Sequence, residues 1–292
     1  MKKIVVLSLK SNIVLLIENN NALLIDCGYD ENDTKKIVNY IKTNKLFLKY
    51  IIPTHYHKDH INGLKLLTQI FKSVKVYTSL ETKCIYKNEF FESYFYLDNV
   101  DKKNKNIKID VIRNKIQFES FEIKIIKLFG HCVGNIGLII DNILYCPDLI
   151  INSSSKLPFV SNVETYYQNL KKVKELKNIE SVILSHSKDK NINFNKFLNL
   201  VEITENSLDK YNELILKNID FVKYDEFLKK MIKLNIVTSC FTNEFNLEQY
   251  EYTEYVLKNF LIYYIKIKKI KKIYKEGCCY LERSKNDKRI NK

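Results

Sequence analysis

The stretch Thr54-His55-Tyr56-His57-Lys58-Asp59-His60 sets four metal-type ligands within seven positions. Neutral imidazole and carboxylate are the usual ligands of a hydrolytic metal site. His55 and His57 alternate, so an extended or tightly turned segment can point both at one ion. Asp59 and His60 follow at once. Before them, Tyr50–Pro53 reads as a buried strand. After them, Ile61, Leu64, Leu66, Leu67, Ile70 and Phe71 carry the spacing of an amphipathic helix. A strand before and a helix after put the ligands on a loop held by rigid elements, the usual way a site is presented.

Moving outward, the chain has only five histidines, and the other two lie in segments of the same character. His131 sits in Phe129-Gly130-His131-Cys132-Val133-Gly134-Asn135-Ile136-Gly137, and His186 in Leu184-Ser185-His186-Ser187. Between them, Asp148 follows the apolar run Ile143-Leu144-Tyr145-Cys146-Pro147. Upstream, Asp26 ends the run Leu23-Leu24-Ile25 and precedes Cys27-Gly28. The alternative for a lone His-x-His is a polar loop without function. The alternative for Asp26 is an ordinary turn carboxylate after a strand. Of six glycines, only Gly277 lies outside these segments.

In order and spacing the set resembles the metallo-β-lactamase superfamily, over roughly residues 1–190. The resemblance implies an αββα four-layer sandwich and a dinuclear centre. It assigns His55, His57 and His131 to one metal, Asp59, His60 and His186 to the second, and Asp148 to both. It makes Asp26 an outer partner orienting a ligand histidine through its other ring nitrogen. Asp59 and Asp26 are therefore the two catalytic candidates. The cofactor implied is two divalent metal ions, zinc foremost, with iron and manganese also suited to His and Asp ligands. Two positions depart from the family pattern. Pro147 stands where a glycine usually precedes the bridging Asp, and Ser185 and Ser187 stand where glycines often flank the last His.

The rest of the chain reads as alternating strands and helices up to about residue 195. Strands are expected at Ile4–Leu9, Ile13–Glu18, Ala22–Asp26, Ile107–Ile112, Phe121–Leu128, Ile136–Ile140, Asn142–Cys146 and Val182–Leu184. Helices are expected at Asp33–Asn44 and, after a Ser161-x-x-Glu164 capping box, at Val163–Leu176. The expected domains are thus a catalytic domain, 1–195, and a helical or winged-helix-like C-terminal region, 196–292. In the latter, Phe197–Lys217, Asp225–Leu234 and Glu248–Tyr264 read as helices, and Ile270–Arg283 as a hairpin turning near Gly277.

Seven cysteines without regular spacing argue against a disulfide framework. Cys27, Cys132 and Cys146, beside motif positions, read as small buried thiols. The start, Met1-Lys2-Lys3 before Ile4–Leu9, is interrupted by Lys10 and reads as a first strand rather than a leader. No run is long enough to span a membrane. The expectation is a cytoplasmic enzyme with a small-molecule substrate, with a homodimer as an option. The net charge of +14 comes mostly from lysine, and basic residues crowd Lys266–Lys292. Such a tail can attract nucleic acid, although a solvated basic face is the plainer reading.

Three functions follow. A hydrolase of a small thioester or ester, like the glyoxalase II branch of the family, comes first. A nuclease or phosphodiesterase, like its endoribonuclease branch, is second. A non-catalytic metal-binding protein is third. The full ligand set with both His60 and Asp148 weighs against antibiotic hydrolysis.

Overall fold

The computed structural model describes residues 2–87, 106–151, 157–234, 236 and 247–284. Cys240 and the end of the basic tail, 285–292, lie outside the described residues. Two compact units are formed, one by Met1–Ile151 with Leu176–Phe197, the other by Asn152–Glu175 with Leu198–Lys292. The chain passes between the units for the third time after Phe197, where the sequence put the boundary at 195. The segment 152–175, expected in the first domain, clusters with the second unit instead.

The first unit is built on two six-stranded sheets. One holds β1 (Lys3–Ser8), β2 (Asn12–Glu18), β3 (Asn21–Ile25), β4 (Phe47–Ile52), β5 (Lys75–Thr78) and β6 (Ile109–Val111) in sequence order. The other holds β7 (Lys115–Phe118), β8 (Phe121–Lys127), β9 (Ile136–Ile140), β10 (Ile143–Cys146), β11 (Ser181–Leu184) and β12 (Ile192–Asn193). In β2 the side chains divide by parity, as a strand buried on both faces requires. Val14 and Leu16 face the second sheet, packing with Phe118, Phe121, Ile123, Leu138 and Ile140. Ile13 and Leu15 face outward, where Ile37, Val38 and Ile41 of α1 (Glu31–Thr43) and Leu64 and Leu67 of α3 (Leu64–Ile70) cover them. This is the sandwich expected from the family resemblance.

The helix expected after the ligand loop is in two pieces, α2 (Lys58–Ile61) and α3, parted by Asn62-Gly63. A Cβ on Gly63 would lie 2.0 Å from the Cys27 carbonyl oxygen, so the chain passes there only as glycine. Strands β5, β7 and β12 and helix α4 (Leu80–Lys87) were not expected from the sequence.

The second unit contains α5 (Val163–Lys174), most of α6 (Phe194–Lys217), β13 (Val222–Lys223), α7 (Tyr224–Lys233), α8 (Leu247–Lys266), β14 (Ile270–Lys275) and β15 (Cys278–Arg283). The cap of α5 is Asn162, not Ser161: its side-chain oxygen accepts from Thr165 N at 2.9 Å, and Asn is as good a cap as Ser. From α6 onward the described elements run helix, strand, helix, helix, hairpin, with sheet order β13-β15-β14. The hairpin turns through Glu276 and Gly277, both at positive φ, between the pair Lys275–Cys278. Two successive left-handed residues give the turn whose twist matches that of the strands. Among the described residues no helix is long and apolar enough to cross a membrane.

Candidate metal centre

The ligand residues leave the same edge of the two sheets. β3 and β4 run parallel, as do β10 and β11, so their C-terminal ends lie together. Asp26 follows β3, the His55–His60 loop follows β4, Asp148 follows β10 and His186 follows β11. His131 comes from the loop between β8 and β9. Ile136 N donates to Thr54 O at 3.2 Å, tying that loop to the first. Open α/β sheets generally place their sites at the carboxyl ends of strands.

Side chains converge in two groups, one of His55, His57, His131 and Cys132, the other of Asp59, His60, Asp148 and His186, each with its ligand atoms within 4.8 Å of one another. Asp148 faces both. Its Oδ2 lies 3.3 Å from His131 Nε2 and 3.8 Å from His55 Nε2. Its Oδ1 lies 3.3 Å from His60 Nε2 and 3.4 Å from His186 Nε2. Asp59 Oδ2 completes the second group, 3.1 Å from His60 Nε2 and 3.0 Å from His186 Nε2. In the first group His131 Nε2 and His57 Nδ1 are 2.9 Å apart. Ligands about 2.0–2.1 Å from a tetrahedral cation stand about 3.3 Å from each other, so both groups have the size of a metal cage. His55 Nε2 is fully buried and has no hydrogen-bond partner. An orphaned buried nitrogen costs free energy unless something binds it. The residues fit two cations.

Charge in the two groups differs. Burial holds His55 and His57 well below the usual histidine range, in the neutral form a metal needs. Burial also works against charge on His186, but Asp148 and Asp59 outweigh it and lift its pKa to about 10. His60 is likewise raised against its burial, by Asp59, Asp26 and Asp148. Burial would raise Asp59 and Asp148, but the neighbouring histidines hold both well below the usual carboxylate range. Without a cation, then, the second group is a cluster of imidazolium and carboxylate ions.

Asp26 lies behind this cluster, fully buried and at φ 66°. It accepts from Thr54 N at 2.7 Å, from Thr54 Oγ1 at 2.9 Å, from the Tyr145 hydroxyl at 2.7 Å and from His60 Nδ1 at 2.8 Å. With Nδ1 held as the donor to Asp26, Nε2 is the His60 nitrogen that faces the second group and would give up its proton to a cation. Thr54 Oγ1 also touches His55 Nδ1 at 3.1 Å, so one threonine steadies a ligand of each group.

Sequence reasoning missed the braces. Tyr145 is fully buried, and its hydroxyl is contributed from 119 residues beyond Asp26. Asn12 Nδ2 donates to Leu184 O and Ser187 O, each at 2.8 Å, and clasps the loop that carries His186. Ser185, noted only as a departure, donates through Oγ to Asp148 Oδ1 at 2.5 Å and accepts from Asp148 N at 3.1 Å. The oxygen of Pro147 accepts from Asn135 Nδ2 at 2.9 Å. Both departures therefore sit in bonds that fix the 146–149 turn, where Asp148 adopts φ 52°.

Comparisons with known proteins point the same way. The profile described as the metallo-beta-lactamase superfamily matches residues 8–186. A hydroxyacylglutathione hydrolase of Prochlorococcus marinus (strain MIT 9301) is 25% identical over 249 residues, covering 84% of this chain and 91% of that protein. One from Vibrio campbellii is 26% identical over 177 residues, covering 60% of this chain and 61% of that protein. Among solved structures, a metallo-beta-lactamase family protein from Thermus thermophilus superposes with a TM-score of 0.71 at 14% identity, over 97% of this chain and 98% of its own. A beta-lactamase domain protein from Burkholderia ambifaria gives the same TM-score at 13% identity, over 97% of this chain and 91% of its own.

Proposed function

The chain belongs to the metallo-β-lactamase superfamily, and from that premise we propose that it is a dinuclear metal-dependent hydrolase of a small thioester or ester. The observation that carries this reading is the division of Asp148: Oδ1 faces one group and Oδ2 the other. A carboxylate so placed can serve two cations at once. Held by these residues, two divalent cations would supply a water of lowered pKa and a Lewis acid for the substrate oxygen. The chain's own residues prepare that chemistry. His55 and His57 are held neutral by burial. Asp26 fixes the tautomer of His60 through Nδ1, and Ser185 fixes the rotamer of Asp148. Asp59 contributes a carboxylate to the second group, within reach of both His60 and His186.

The thioester or ester reading draws on the relatives named hydroxyacylglutathione hydrolase. Zinc is our first choice of metal, with iron or manganese second. The free state of the six described cysteines supports a reducing, cytoplasmic setting. A panel of thioesters, lactones, bis-p-nitrophenyl phosphate and single-stranded RNA, assayed on metal-replete protein, tests the proposal. Turnover of a thioester above the rest is expected, and turnover of phosphodiesters alone would overturn it. That second outcome has one observation in its favour: Lys271, Lys272 and Lys275 lie exposed on β14.

A further inference from the structure

We propose that Cys132 Sγ is a further protein donor to the first metal group, beside its three imidazoles and Asp148 Oδ2. That group would then add a soft sulfur to its nitrogens and its share of Asp148, and favour a borderline-soft cation over a hard one. The inference rests on the metal-binding reading above and concerns a residue to which that reading gives no role.

Cys132 follows His131 and is fully buried between Tyr56 and Ile85. Its sulfur and the ring nitrogens of His55, His57 and His131 all lie within 4.8 Å of one another. Burial, with Asp148 nearby, pushes the Cys132 thiol well up, against the smaller downward pull of His60, the Asn135 backbone N–H and the Tyr56 hydroxyl. Independently, His55 Nε2 is buried without a hydrogen-bond partner while Thr54 Oγ1 holds its Nδ1, which aims Nε2 into the same group. Cys27 and Cys146 are also buried, but neither joins a metal-sized group among the described residues.

The consequence is asymmetry. The second group offers two carboxylates and two imidazoles, a set suited to harder cations. Thiolate added to three imidazoles suits zinc or cobalt and disfavours manganese. Coordination by Cys132 releases the thiol proton to solvent, so uptake of the first cation is accompanied by a proton. If Cys132 is only a packing residue, its sulfur makes no bond to metal.

Cobalt(II) added to metal-stripped protein separates the two cases. With sulfur bound, the wild type shows an intense near-ultraviolet sulfur-to-cobalt charge-transfer band with the first equivalent. Cys132→Ser should keep the visible cobalt bands and lose the charge-transfer band. Its zinc affinity, by chelator competition, should fall by more than the ~10–100-fold that loss of an outer partner costs, while manganese affinity stays unchanged. X-ray absorption on the zinc-loaded wild type needs no variant and should show one sulfur neighbour per two zinc ions. Cobalt bound without charge transfer, a band that survives Cys132→Ser, or a zinc spectrum without sulfur would each overturn the proposal. Failure to bind any cation would instead remove the metal-binding reading, and this inference with it.

Discussion

Replacing Asp26 by Asn changes one atom in the centre and should empty half of it. The carboxylate is fully buried and accepts four hydrogen bonds, from Thr54 N, Thr54 Oγ1, the Tyr145 hydroxyl and His60 Nδ1. A carboxamide must turn one end into a donor. With Nδ2 in place of Oδ2 it faces the Tyr145 O–H and the His60 N–H. Tyr145 has a second acceptor, Asn12 O at 2.9 Å, and can turn to it. His60 can relieve the clash only by moving its proton to Nε2, which removes the lone pair meant for the second group. With the amide flipped, Nδ2 meets Thr54 N–H, and a buried unsatisfied donor costs about 1–3 kcal/mol. The first arrangement loses metal rather than stability. Loss of an outer partner of a ligand lowers metal affinity by about 10–100-fold.

Asn tolerates the left-handed backbone at this position, where φ is 66°, so Asp26→Asn isolates the tautomer effect from backbone strain. Chelator competition on wild type and variant gives the two stepwise affinities, and elemental analysis gives the stoichiometry. The wild type should hold two equivalents. The variant should hold the first as tightly and release the second. Two equivalents at unchanged affinity in the variant would refute the tautomer reasoning. An equal fall at both groups would point to general loosening of the loop instead.

Asp59→Ala or His60→Ala should abolish turnover of the assigned substrate while the protein still folds, since both sit on the short α2 outside the two apolar cores; near-wild-type turnover would require a mechanism with one cation. Ser185→Ala should cost roughly tenfold or more in second-site affinity, about one hydrogen bond to a charged group, and Ser185→Thr should restore it. In the metal-stripped protein, the His186 pKa of about 10 exceeds its ordinary value near 6.5. The stabilisation that His186 gains from Asp148 and Asp59 is then fully present below about pH 6.5, while those carboxylates stay ionised, and is lost as pH rises through 10, which melting curves across pH can follow. Metal uptake has the opposite sign. Protons must leave His186 and His60, so second-site affinity should climb with pH by about tenfold per unit for each proton displaced, while the first site, with its neutral His55 and His57, climbs less. Replacing Lys268, Lys269, Lys271 and Lys272 with Gln should leave thioester turnover unchanged; a large loss of RNA affinity with a flatter salt dependence would favour the nuclease reading.

The centre was legible because its ligands are local in sequence. His55, His57, Asp59 and His60 share one loop, and Asp26, His131, Asp148 and His186 each abut an apolar run that reads as a strand. The braces were not legible. The Tyr145 hydroxyl reaches Asp26 across 119 positions and Asn12 reaches Leu184 across 172. Such a pair leaves no local periodicity, and a buried Tyr in a strand reads as core. β12 and β13 are two residues long, and their extended form is set by the partner strand rather than by their own side chains. The hairpin of β14 and β15 was visible, because Gly277 marks a turn whatever surrounds it.

The departures from the family pattern teach something different. A glycine before the last histidine would leave Asp148 free to turn about its own side-chain bonds. Here Ser185 both donates to and accepts from Asp148, so a side chain does what backbone geometry alone would have to do. Pro147 works in the same sense. Its ring fixes φ at the residue before a left-handed Asp148, and its carbonyl is taken by Asn135, which also donates to Leu128 O. Asn135 thereby links the turn that carries the bridging carboxylate to the loop that carries His131 and Cys132. The position of Asp148 relative to both groups is thus set by bonds running to each of them. Loosening either side should disturb the division of its two oxygens, the feature on which a two-cation chemistry depends.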